Sequence, residues 1–177
     1  MKKLIYLAIC LFLLIGHVKA QDGYTHFTFR GGYLYRDAGT ISLGFDFAKK
    51  YYSSYELTAT FIKSNSNKTS SETIYNEVDS TYSTKVLKHS YENLLLGIQY
   101  KPLLLRVKNS AVKFRVGAFI GTDWSNFIAA PNLGVEFVQS LSPGVDLTLT
   151  NNNGYFFWAT KPVRWRNTAE FGIRIAL

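Results

Sequence analysis

From Tyr24 onward the chain alternates apolar and polar positions with a period of two, the signature of β-strands with two unlike faces. Phe27, Phe29, Gly31, Tyr33 and Tyr35 are set against Thr28, Arg30, Gly32 and Leu34; Ile41, Leu43, Phe45 and Phe47 against Thr40, Ser42, Gly44, Asp46 and Ala48. The third run, 54–62, sets Tyr55, Leu57, Ala59 and Phe61 against Ser54, Glu56, Thr58 and Thr60, with Ile62 the exception. The pattern resumes at 93–100, 112–121, 132–137, 145–150 and 165–177, which makes eight predicted strands. An even number of strands meeting this pattern predicts an all-β fold, an eight-stranded antiparallel up-and-down barrel.

Period two does not say which face looks inward. A soluble lipocalin-like carrier would point its apolar face at a ligand cavity, whereas a transmembrane barrel points it at lipid. Composition favours the second. The polar face is lean, with Gly32, Gly44, Ala48, Gly97, Gly117, Gly134, Gly172 and Ala176 among many Ser and Thr. Small residues suit the narrow interior of an eight-stranded barrel and have no purpose on a water-exposed face. Connections also alternate in length: turns at 49–53, 101–110 and 140–144, longer links at 63–88, 122–131 and 151–163. Short turns on one side and long loops on the other are the outer-membrane pattern. The segment 64–85 is expected to be a long extracellular loop or a hairpin extension of the strands.

Aromatic residues make up 16% of the chain and gather at strand ends. Tyr51, Tyr52 and Tyr55 are expected to mark the turn-side interface; Tyr33, Tyr35, Trp124, Phe127, Phe156, Phe157, Trp158 and Trp165 the loop side. Lys161, Arg164 and Arg166 are expected to reach lipid phosphates beside the last group. The same string also fits single-stranded nucleic acid, which the girdle reading makes unnecessary.

The first twenty residues read as a cleaved signal peptide: Lys2 and Lys3, an apolar run from Leu4 to Ile15, then Val18-Lys19-Ala20 before Gln21, with cleavage expected between Ala20 and Gln21. Twelve apolar residues are too few to span a bilayer as a helix, which takes about 20. Leu7-Ala8-Ile9-Cys10 approaches a lipoprotein box, but Ile9 is too bulky for it. Cleavage would leave residues 21–177 as one barrel domain without cysteine. Of 20 basic residues 17 would remain against 12 acidic, a net charge of +5 spread along the chain. That distribution offers no basic stripe for direct nucleic-acid contact.

With this orientation Arg30, Asp46, Glu56, Lys113, Arg115, Glu136, Asp146, Glu170 and Arg174 all point into the lumen, where opposite charges are expected to pair and plug the barrel. His26 and His89 fall near opposite ends of the barrel, too far apart to share a metal. His89-Ser90 with Glu92 resembles the active residues of outer-membrane lipid hydrolases. In a strand, however, His89 and Ser90 would point to opposite faces. No phosphate loop, paired cysteine ligands or nucleophile elbow is present. The reading is a non-enzymatic protein with no cofactor and no metal; a lipid-modifying enzyme and the soluble carrier stand as alternatives.

Two resemblances sharpen this. Residues 170–177 resemble the C-terminal assembly signal of outer-membrane barrels: Glu170, Gly172, Ile175 and Leu177 fill its slots, with Leu177 in place of the usual aromatic residue. The resemblance implies recognition by the barrel-assembly machinery. Residues 93–177, in the order and spacing of 93–100, 111–121, 127–139 and 145–177, resemble the small outer-membrane barrel proteins of conjugative transposons, the TraO-type conjugal transfer family. That resemblance implies a structural or interaction component of a conjugative apparatus in the bacterial outer membrane. It also implies protein partners and no direct contact to nucleic acid. Independently of the resemblance, the barrel is expected to meet outer-membrane lipid, and residues 63–88 are the expected surface for protein partners.

Overall fold

The computed structural model describes residues 25–34, 38–49, 53–64, 69–76, 81–88, 92–159 and 165–177. The expected signal peptide and its cleavage point at Ala20 and Gln21 lie outside the described residues. The described residues form β1 (Thr25–Leu34), β2 (Ala38–Ala48), β3 (Ser54–Ser64), β4 (Thr69–Asn76), β5 (Thr81–Lys88), β6 (Glu92–Lys101), β7 (Leu103–Val107), β8 (Ser110–Thr122), β9 (Phe127–Ser142), β10 (Val145–Tyr155) and β11 (Trp165–Ala176). Eight of these strands close a barrel. Their order is β6-β3-β2-β1-β11-β10-β9-β8, and β6 pairs with β8 to complete the ring, every pairing antiparallel. Closure leaves these eight strands no free edge, the condition for strands to cross hydrocarbon. Most barrel strands have 10–12 residues, about the length a tilted strand needs to span a bilayer.

The orientation is apolar-outward. Leu43, Val116 and Ile173 are exposed, as are Leu96, Ile98, Leu133 and Phe171, the last four at 50–57%. A continuous outer belt of such side chains around a closed sheet is far larger than the apolar patches a water-soluble monomer shows. Rings occupy its rims. Tyr55 and Tyr100, cross-strand partners, sit 5.0 Å apart at the turn side; Tyr33, Trp124, Phe127, Trp158 and Trp165 stand exposed at the loop side. Tyr35, Tyr51 and Tyr52 lie outside the described residues.

The strands run further than the alternation implies. The link expected over 122–131 is a tight turn, because β9 begins at Phe127. The Asp123 carboxylate accepts from the Ser125 and Asn126 amides (3.1 and 2.7 Å), and the Thr122 hydroxyl accepts from Trp124 N (2.9 Å). These side chains do the work of a longer connection. Likewise β10 continues to Tyr155, which shortens the 151–163 link, and the turn expected over 101–110 contains β7. β7 prolongs β6 along β8 beyond a register shift between Leu103 and Leu105. Within 64–91, β4 and β5 form a two-stranded hairpin separate from the barrel sheet.

Candidate functional site

Among the described residues the lumen is where polar chemistry concentrates, and it is layered. Nearest the loops lies an apolar stopper of Leu34, Ala38, Ile62, Leu95, Phe119, Ile128, Ala130 and Phe156. A glycine accommodates one of its rings: Gly97 stands opposite Phe119 across β6 and β8, and a Cβ there would run into the ring. The Arg166 guanidinium lies over the Phe156 ring, 4.2 Å from its centroid, a cation–π contact. Both residues correct an expectation. Phe156 is buried rather than part of the girdle, and Arg166 is buried rather than offered to lipid phosphate. The parity of β11 alone puts Arg166 on the inward face.

The middle layer is a lattice of buried ions. Glu56, fully buried, takes Arg30 Nη2 at 2.5 Å, Arg115 Nη2 at 2.9 Å and Lys101 Nζ at 3.3 Å. Glu136 takes Lys101 at 3.0 Å, Arg115 at 3.4 Å and Arg30 at 3.7 Å. Glu170 accepts from the Ser42 hydroxyl at 2.7 Å and stands 3.5 Å from Arg30 Nε. Asp46 pairs with Lys101 and with Arg174 (3.3 Å); Arg174 also holds Asp146 at 2.6 Å. Arg115 Nε donates to Gln99 at 2.6 Å. Each charge taken from water alone would cost several kcal/mol, so the members are tolerable only as a set. Every charged residue expected in the lumen is buried there. Lys101 is the addition. The sequence pattern puts it at the start of a turn, yet Asn93, Leu95, Gly97 and Gln99 alternate inward and one further step places Lys101 among them.

Below the lattice the barrel opens into a turn-side cavity of about 570 Å³. His26, Asp46, Lys113, Asp146 and Arg174 form its inner wall, and the β7–β8 hairpin its rim. His89 and Ser90 lie outside the described residues; Glu92 is half-exposed in a 3.0 Å pair with Lys63 at the loop side. Within the expected assembly signal, Glu170 and Gly172 face inward, Ile175 and Leu177 outward. Gly172 leaves space for Arg30, whose side chain a Cβ would strike. Among the described residues no group of three His, Cys, Asp or Glu is arranged to hold a metal ion.

A closed eight-stranded sheet, apolar outside and ionic inside, defines a transmembrane β-barrel. Solved structures agree on the fold. A major outer membrane protein of Thermus thermophilus aligns at TM-score 0.59 and 13% identity, covering 89% of this chain and 100% of that one. A de novo designed transmembrane β-barrel aligns at 0.52 and 12%, covering 88% and 96%. The outer membrane protein Ail of Yersinia pestis, in a phospholipid bilayer nanodisc, aligns at 0.51 and 10%, covering 88% and 100%. No family model and no curated protein matches the chain.

Proposed function

We propose that this protein is a non-enzymatic component of the bacterial outer membrane that acts through protein contacts, as part of a conjugative transfer apparatus. One observation supports the non-enzymatic reading above others: the charged residues of the middle layer are consumed by pairing with one another, with the apolar stopper over them. A lumen filled in this way resembles a structural plug more than a conduit or an active site. The apolar-outward orientation also argues against the hydrophobic-ligand carrier, which needs its greasy faces inside. The transfer role rests on the resemblance of residues 93–177 to the TraO-type proteins, and the contact surface on the β4–β5 hairpin, which is separate from the barrel sheet.

Deletion of residues 69–88 tests both parts. The shortened protein is expected to reach the outer membrane and keep heat-modifiable gel mobility, while conjugation frequency falls at least tenfold. Unchanged transfer from cells carrying the deletion would remove the hairpin from the mechanism. Unchanged transfer from cells lacking the whole gene would remove the conjugative role altogether.

A further inference from the structure

The turn-side cavity contains a charge the lattice leaves over. Its lining carries four basic side chains, Arg106, Lys108, Lys113 and Arg174, against two acidic ones, Asp46 and Asp146. Both acids are already paired, within the lining by Arg174 and beyond it by Lys101: Asp146 meets Arg174 and the Ser140 hydroxyl at 2.6 Å, Asp46 meets Lys101 and Arg174. Lys113 is only 6% exposed, yet among the described residues no carboxylate lies within ion-pair distance of it. Its ammonium donates to one neutral partner, the Ser54 hydroxyl, at 3.2 Å. An ammonium carries three donors, and the carboxylate that acts on this one most strongly through space, Asp46, is already shared by Lys101 and Arg174. The buried cation is therefore incompletely compensated and costly to keep. The other four cations beside the carboxylates, Arg30, Lys101, Arg115 and Arg174, each touch at least one. Lys113 faces the cavity, as Arg174 does, but alone of these five it has no carboxylate in direct contact among the described residues.

We propose that this mouth is a binding site for a phosphate-class anion, with Lys113 at its floor and Arg106, Lys108 and Arg174 in its walls. Donors arriving from the β7–β8 hairpin, β8 and β11 approach from several directions, which suits a tetrahedral oxyanion better than a planar carboxylate. The volume exceeds that of phosphate itself and leaves room for a glycerol or sugar attached to it. The site opens at the end of the barrel marked by Tyr55 and Tyr100, the level of lipid headgroups. A phospholipid headgroup and a free phosphorylated solute present the same chemistry there.

Calorimetric titration of the refolded full-length protein in maltoside micelles, which contain no phosphate, separates these sources. Inorganic phosphate is one probe and dihexanoyl phosphatidylglycerol the other. Saturable binding of either supports the site: phosphate alone marks a solute, and the lipid, with or without phosphate, marks a headgroup. Lys113→Met is expected to weaken binding at least tenfold, and Arg106→Gln with Lys108→Gln, both on the exposed hairpin, at least threefold. Lys63→Met, at the opposite end, is expected to change nothing. The exposed pair keeps the test decisive should Lys113→Met fail to refold. Absence of saturable binding of both probes overturns the proposal, as does undiminished affinity in the hairpin double variant.

Discussion

The two filled layers of the lumen use opposite means. Towards the loops, Leu34, Ile62, Leu95, Phe119, Ile128 and Phe156 fill the barrel by shape; at the middle, Arg30, Glu56, Lys101, Arg115 and Glu136 fill it by charge. Packing between apolar side chains is non-directional, so each member contributes mainly its own volume and area. An ion lattice is conditional: each member is favourable only while its partners remain. The stopper should therefore fail gradually under substitution, and the lattice in coupled steps.

Glu56→Leu should show the largest effect, because it strips a partner from Arg30, Arg115 and Lys101 at once. Breaking a buried pair by removing one side costs about 3–5 kcal/mol, to be read from urea unfolding in lipid vesicles. The same measurement on Glu56→Leu combined with Arg115→Leu should recover part of that loss, since fewer uncompensated cations remain. Additive losses in the double variant would mean that the lattice is a collection of independent pairs.

Phe119→Ala probes the other layer and should cost about 3 kcal/mol, the usual result of emptying a buried aromatic site. Conductance across a planar bilayer should stay at the wild-type baseline, because the ionic layer below still occupies the lumen. Ion flow through Phe119→Ala would show instead that the stopper alone holds the barrel shut.

The same contrast explains what can be read from the sequence. Where the inward face is polar, as at Thr58, Gln99, Arg115 or Glu136, period two is plain and places the strands correctly. Where the inward face joins the stopper, the contrast vanishes. Ile128 and Ala130 point inward between outward Phe127, Ala129 and Pro131, so the start of β9 reads as a loop up to Asn132. Ile62, Leu34 and Leu95 stand as exceptions to the pattern for the same reason. The charges of the lattice are legible one by one from parity, but their partners are not. Parity fixes the face a side chain takes, while the meeting of Arg30 with Glu56, or Arg174 with Asp46, depends on the register of strands far apart in the chain. The cavity leaves no trace in the pattern, since it depends on how far β7 and β8 run on together beyond the barrel end.

Lys63→Gln gives the smallest expected effect and the cleanest calibration. Its amine pairs with Glu92 at 3.0 Å, a geometry as good as several in the lattice, but the two side chains are 61% and 43% exposed. Water and salt screen such a pair, and exposed pairs contribute at most about 1 kcal/mol after the loss of side-chain freedom. The change should therefore fall within error of wild type in the urea titration that registers Glu56→Leu clearly, and be insensitive to added salt. A loss comparable to that of Glu56→Leu would mean that the rim pair is shielded from solvent by neighbouring chain, and that burial does not separate the lattice from the surface.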